Sequence, residues 1–261
     1  MKKLLTIAIA LVLVAAVATA SASTLVIGAS STPHAEILEA AKDLLAAKDL
    51  ELEIIVFDDY VQPNLQLDAG DLDANYFQHI PYLEDFCAQN GTKLVSAGAV
   101  HYEPMGIYTN LSKAYTMDTI PEKAVIAVPN DPTNEARALA LLQAQGLIKL
   151  DVAAGQTATV LDIVENPKNV EIQEFEAAAV PRMLADVDLA VINSNYALEA
   201  GVDVVGTAIA TESSDIAYPN IIAIREGDDR AELKTLVEVL QSEEMVNWIT
   251  TTYGTAVCPT K

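Results

Sequence analysis

The sequence predicts an α/β protein of two lobes with a ligand cleft between them, and three observations predict it. From Thr24 onward, short apolar runs alternate with helix-forming stretches at the spacing of strand, loop and helix. The series starts afresh near Val125, as a second sheet would require. No low-complexity segment, repeat or long linker separates the two series, so the chain must cross between lobes through short segments that also serve as hinges. We place the crossings near Pro104–Tyr108 and Pro219–Ala223, which assigns residues 23–106 and 224–261 to lobe 1 and residues 107–223 to lobe 2.

Residues 1–22 stand apart from the fold. Lys2 and Lys3 precede an apolar run from Leu4 to Ala18, and the small residues Ala18-Thr19-Ala20-Ser21-Ala22 offer cleavage after Ala20 or Ala22. This is the layout of a secretory signal peptide, with an uncleaved anchor as the alternative. The mature chain is therefore expected outside the cytoplasm.

Leu25–Gly28 reads as the first strand, and Thr32-Pro33 as an N-cap with proline at the first helical position of a helix to Ala47. Leu52–Phe57 is the next strand, and Asp58-Asp59-Tyr60 lies at its carboxyl end, where open α/β sheets place ligands. A helix over Gln62–Ala69, a strand over Asp71–Tyr76 and a helix over Ile80–Gln89 closed by Asn90-Gly91 follow. Leu94–Ser96 and Met105–Thr109 read as extended. The second series opens with Val125–Pro129 and a helix started by Asn130-Asp131-Pro132, again a cap residue before proline. Val170–Phe175, Asp188–Asn193 and Ile221–Ile224 complete the strands. Helices are expected over Glu176–Ala185, Asn195–Ala200, Arg230–Gln241 and Glu244–Thr251. The alternation predicts predominantly parallel sheets covered on both faces.

A formal charge of −22 disfavours phosphate backbones and anionic lipid as partners, so nucleic acid is excluded. Cys87 and Cys258 are compatible with one disulfide or with two thiols, because geometry is not legible in spacing. His34, His79 and His101 are too scattered to make a zinc site by themselves, and no metal or cofactor is called for. Nucleophile-elbow, phosphate-loop, dinucleotide and H-E-x-x-H signatures are missing, which lowers the standing of an enzyme without excluding a dispersed active site.

Two stretches carry chemistry. Asp73–Tyr82 holds Tyr76, Phe77, His79 and Tyr82 in a chain only 5% aromatic; the rings either fill core or line the cleft, where they could clasp a thioether. In Asn130–Arg137 a capped helix start stands beside Arg137, whose side chain leans back toward it. Arg137 is then either the anchor of a carboxylate or one half of a surface salt bridge. Asn193 and Asn220 adjoin apolar strands, as turn residues or as amides orienting a ligand's polar groups.

The combined stretches resemble the methionine-binding lipoproteins, the substrate-capturing components of methionine ABC importers. The resemblance rests on Gly28–Glu36, Phe57–Asn64, Gly70–Tyr82 (GDLDANYFQHIPY), Val128–Leu139 (VPNDPTNEARAL), Asn166–Lys168, Ala178–Arg182, Ala190–Ala197 (AVINSNYA) and Tyr218 with Asn220, spread over nearly the whole mature chain. It implies a type II periplasmic-binding-protein fold that closes on L-methionine and hands it to a membrane importer, as a monomer. By similarity Tyr60, Phe77, His79 and Tyr82 surround the ligand side chain, Arg137 holds its carboxylate, and Asn193 and Asn220 bind its head group. D-methionine, a methionine-containing dipeptide or another apolar amino acid are alternative cargoes, and an exported enzyme with His79 as general base is a further one. Two departures stand out. No lipobox cysteine occurs near Ser21–Thr24, which puts a lipid anchor in doubt, and Glu135 and Ala136 stand where family members often carry glycine.

Overall fold

The computed structural model describes residues 22–110, 112–153, 156–213 and 218–260; the expected signal segment lies outside them, apart from Ala22. The elements of the first series are β1 Ser23–Ala29, a π turn Ser31–Ala35, α1 Glu36–Ala46, β2 Leu50–Val56, α2 Gln62–Ala69, β3 Ala74–His79, α3 Ile80–Asn90 and β4 Leu94–Tyr102. The chain continues through β5 Gly106–Thr109, β6 Val125–Pro129, α4 Pro132–Ala144, β7 Lys149–Leu150, β8 Ile163–Glu165, β9 Glu171–Phe175, α5 Val180–Met183, β10 Leu189–Ile192, α6 Ser194–Glu199 and β11 Ala208–Thr211. It ends with β12 Asn220–Arg225, α7 Ala231–Leu240, α8 Glu243–Tyr253 and β13 Cys258–Pro259.

Two main sheets form. The first has the order β13-β4-β12-β3-β1-β2 and the second β11-β5-β10-β6-β9, with β7-β8 as a small separate pair. Both repeat one plan. In each sheet three parallel strands (β2-β1-β3 and β9-β6-β10) are joined by a strand arriving from the other sheet, β12 or β5, which pairs antiparallel. The sheets are therefore mixed, not predominantly parallel as the alternation suggested, because a strand that enters from the opposite lobe runs against its new neighbours.

Alternation along the strands buries both faces of the first sheet. Leu25, Ile27, Ile222 and Ile224 pack toward α1, α7 and α8, whereas Ile221 and Ala223 pack with Leu67 of α2 and Leu83 of α3. In the second sheet Ile126, Val128, Leu189 and Val191 meet Leu139 and Leu142 of α4. The opposite face, with Ala127, Ala190 and Ile192, joins the core of the first lobe. At about 1.5–3 kcal/mol for each large side chain fully buried, these layers dominate the stability of both lobes.

Several expectations need correction. The sheets place Gly106 in the second sheet and all of β12 in the first, so the boundaries after 106 and 223 each cut a strand. The chain crosses at Glu103–Met105 and returns ahead of Asn220, so each expected crossing holds at its first residue, Pro104 and Pro219, and runs too far into the strand that follows. Thr32 is extended (φ −129°, ψ 132°) and does not cap a helix; its hydroxyl donates to Glu36 Oε1 at 2.6 Å, and α1 starts at Glu36 after the π turn. Only Val180–Met183 of the expected 176–185 helix is α-helical. The caps at Asp131 and Gly91 form as read: the Asp131 carboxylate accepts from the Asn134 N–H, and Gly91 takes φ 70°.

Cys87 and Cys258 are both free thiols. Cys87 Sγ donates to Leu94 O at 3.8 Å, at the start of β4, whereas Cys258 pairs with Tyr102 at its end. Eight residues of strand separate these points by about 25 Å, far beyond the roughly 2 Å of an S–S bond. The fold therefore keeps the cysteines apart, although Cys87 in α3 packs on the sheet that contains Cys258.

Candidate functional site

The carboxyl ends of β2 and β3 deliver three rings to the space between the sheets. Tyr60 follows β2, Phe77 lies in β3 and Tyr82 opens α3, and their centroids are 5.6 Å (Tyr60–Phe77), 5.7 Å (Tyr60–Tyr82) and 6.0 Å (Phe77–Tyr82) apart. Tyr196 of α6 adds a fourth ring, 4.8 Å from Tyr60. The hydroxyls turn outward to partners: Tyr82 donates to Tyr60 O at 3.0 Å, Tyr60 to Asn195 Oδ1 at 2.6 Å and Tyr196 to Asp58 O at 3.3 Å. The last two bonds cross from one lobe to the other, so the lobes are closed. Tyr76, also singled out in the sequence, faces away and fills core beside His34 and His101.

Asn134, at the first turn of α4, gathers the opposite end. Its Nδ2 donates to both Asp131 oxygens at 3.0 Å, which fixes the amide with Oδ1 inward. That oxygen accepts from Asn193 Nδ2 at 2.9 Å and from Arg137 Nη1 at 3.5 Å, and it meets His79 Nε2 at 3.3 Å. His79 Nδ1 accepts the Tyr82 backbone N–H at 3.2 Å. Both ring nitrogens are thus engaged in the neutral form, and burial with the nearby Arg137 charge lowers the His79 pKa to about 3.

Arg137 is buried and does not make the surface salt bridge weighed as its alternative. Its Nε and Nη2 donate to Glu212 Oε1 and Oε2 at 3.0 and 2.5 Å. The bidentate edge expected to hold a ligand carboxylate is therefore taken by Glu212, and Nη1 is the donor turned toward Asn134 and the cavity. Glu212 is itself fixed: its Oε2 accepts from the Met105 N–H at 2.8 Å, and its N–H donates to Met105 O at 2.9 Å. Arg137 Nη2 also reaches Glu103 O at 3.4 Å. The two crossing segments thus clamp the guanidinium that the second lobe supplies.

A third group lies behind. His101 Nε2 meets Glu103 Oε1 at 2.7 Å and His34 Nε2 meets the same oxygen at 3.4 Å, while His34 Nε2 is 3.2 Å from Asn220 Oδ1. Tyr76 Oη bonds His101 Nδ1. Two of the histidines judged too scattered to make a zinc site by themselves are brought together, with ligating atoms of His34, His101 and Glu103 all within 4.8 Å of one another. The 2.7 Å contact of His101 Nε2 with Glu103 Oε1 is a hydrogen bond in the tautomer that carries the hydrogen on Nε2. Burial lowers the pKa of His34 to about 4 and of His101 to about 3, so both stay neutral at pH 7. Burial raises the Glu103 carboxyl above its ordinary range, against the pull of His34 and Arg137.

These groups line a cavity between the lobes. Tyr60, Phe77, His79, Tyr82, Arg137, Asn193 and Asn220, the seven residues taken from the sequence, all line it. Glu103, Asn134, Ser194 and Asn195 line it as well and were missed, although VINSNYA and PNDPTN contain three of them. Asn193 Oδ1 and Asn195 Nδ2 are buried with no hydrogen-bond partner among the described residues, one spare acceptor and one spare donor. Among the described residues no helix is long and apolar enough to cross a membrane.

Two mixed sheets of one plan, joined by two crossings and closed over a polar and aromatic cavity, define the type II periplasmic-binding-protein architecture. Comparison with known proteins agrees. The family model described as NlpA lipoprotein matches residues 25–261, and the chain belongs to that family. The D-methionine-binding lipoprotein MetQ of Escherichia coli is 42% identical over 224 residues, 85% of this chain and 81% of that protein. Outer membrane lipoprotein 3 of Mannheimia haemolytica is 42% identical over 225 residues, 85% of either chain. Among solved structures, a nutrient-binding protein of Burkholderia cenocepacia bound to methionine is 45% identical with a TM-score of 0.86, covering 91% of this chain and all of that one. A lipoprotein of Ruminococcus gnavus is 52% identical with a TM-score of 0.88, covering 92% of this chain and all of its own.

Proposed function

We propose that this chain is an extracytoplasmic solute-binding protein that captures methionine, the L form by preference, and delivers it to an ABC importer as a monomer. The observation that carries the reading is the two-ended cavity. Rings of Tyr60, Phe77 and Tyr82 stand at one end, where sulfur–aromatic contacts contribute about 0.3–1.5 kcal/mol each. Arg137 Nη1 and Asn193 stand at the other, with Asn195 between the two ends on the Tyr60 hydroxyl, and the spare acceptor Asn193 Oδ1 and spare donor Asn195 Nδ2 suit a zwitterion. Binding then selects the closed state, since groups of both lobes meet only there. The relatives named for D-methionine and the methionine-bound neighbour support the cargo class. Catalysis by His79 is disfavoured because neither ring nitrogen is free to take a proton from a substrate.

Mass spectrometry of ligand released by denaturing the purified protein, with a thermal-shift panel over L-methionine, D-methionine, methionine dipeptides and other amino acids, tests this. Methionine at a hundredfold excess over its Kd should stabilise the fold by about 2.7 kcal/mol. A panel in which another amino acid class shifts the transition and methionine does not would overturn the cargo.

A further inference from the structure

We propose that Glu103 is the counter-charge for the ligand's α-ammonium group, set in place by His34 and His101. The assignment rests on the amino-acid reading above and deepens it. Three observations carry it. First, Glu103 lines the cavity and is only 6% exposed, so any group that meets its carboxylate does so with little competition from solvent. Second, the side chains behind it hold one oxygen in place: His101 Nε2 lies 2.7 Å and His34 Nε2 3.4 Å from Oε1, and Oε2 has no such side-chain partner among the described residues. Tyr76 completes the arrangement by bonding His101 Nδ1, which leaves Nε2 as the nitrogen that points its hydrogen at Glu103. Third, Asn193 Oδ1, a second cavity-lining acceptor, is buried and unpartnered among the described residues.

The cavity is consequently dipolar. Glu103 and Asn193 Oδ1 offer acceptors, while Arg137 Nη1 and Asn195 Nδ2 offer donors. Among the described residues Glu103 is the one carboxylate that lines this cavity, and the Arg137 charge beside it is already paired with Glu212. An ammonium placed there supplies the opposite charge that neutral imidazoles do not, and it favours the ionised carboxylate that burial disfavours.

Methionine and 2-hydroxy-4-(methylsulfanyl)butanoate differ only in ammonium against hydroxyl, so titration calorimetry with both isolates this contact. Wild-type protein should prefer methionine by at least about 30-fold, the lower bound for losing one partner of a buried charged pair. Glu103→Gln should weaken methionine by a similar factor and the hydroxy acid by no more than about threefold, collapsing the preference. Equal wild-type affinity for the two ligands overturns the assignment without requiring the variant to fold. A variant that weakens both ligands alike overturns it too, since that is the signature of a structural role. Wild-type protein that takes neither ligand removes the methionine reading itself, and this assignment with it.

Discussion

The two ends of the cavity are built by different means. The apolar end draws three rings, Tyr60, Phe77 and Tyr82, from one continuous stretch on the first lobe. The polar end assembles Glu103, Asn134, Arg137, Asn193, Glu212 and Asn220 from segments far apart in the chain, on both lobes and both crossings. Apolar contact is non-directional, so a local cluster of rings suffices. Buried charge must be paired at hydrogen-bond distance, so each polar group brings a partner from elsewhere. Closure of the lobes is thus needed for the polar end and much less for the apolar one.

Acid should break the polar end first, and this is the largest effect expected. His34, His79 and His101 have pKa values lowered to about 4, 3 and 3, so the unfolded chain binds protons below pH 6.5 that the folded chain refuses. Their contribution is fully present above pH 6.5 and is lost as pH falls toward those values, at up to about 1.4 kcal/mol per histidine per pH unit. Glu103, whose carboxyl is raised, acts in the opposite sense and returns part of this as pH falls. Denaturant titrations should show a net loss between pH 7 and pH 5, bounded by the three histidines at about 5–6 kcal/mol; a flat profile would mean the histidines are not buried neutral.

Arg137→Ala tests the clamp. It leaves Glu212 buried without its cation, which should cost about 3–5 kcal/mol of folding stability, and it should weaken methionine by about 2–5 kcal/mol in calorimetry. An unchanged affinity would remove Arg137 from the site. Glu212→Gln separates the two roles: it keeps the guanidinium but loosens its orientation, so affinity should fall less than for Arg137→Ala.

Phe77→Leu probes the apolar end with a smaller expected loss. It keeps apolar volume and removes one ring, so methionine should weaken by about 1 kcal/mol and norleucine by less, because only the thioether gains from the ring. Equal losses for both ligands would reduce the cage to plain apolar surface. The smallest effect is at the cysteines. A thiol count under denaturing, non-reducing conditions should give two, and reductant should leave the thermal transition where it was.

Legibility in the sequence follows the same division. Continuous apolar runs such as Ile221–Ile224, proline after a cap at Asp131-Pro132, and Asn90-Gly91 after a helix-forming stretch are local signals, and the elements they predict form. Phe77, Tyr82 and Arg137 stood out because unusual residue types cluster in short stretches, and the family resemblance supplied their roles and that of Tyr60. Glu212 was not: one acid among the 37 acidic residues of a strongly negative chain carries no mark of its partner. Glu103 and the pair His34 with His101 were hidden likewise, because β12, arriving from the second lobe, places Asn220 between β3 and β4 and beside both histidines. The antiparallel entry of β5 and β12 is a long-range pairing that strand-helix alternation does not encode, and the wrong lobe boundaries followed from it.

The most direct test is where each end of the guest lies. In a one-to-one complex with methionine labelled at the S-methyl carbon, intermolecular nuclear Overhauser effects should connect that methyl group to ring protons of Tyr60, Phe77 and Tyr82, with none from the α proton. A bound methionine whose methyl group contacts none of these rings would contradict the account.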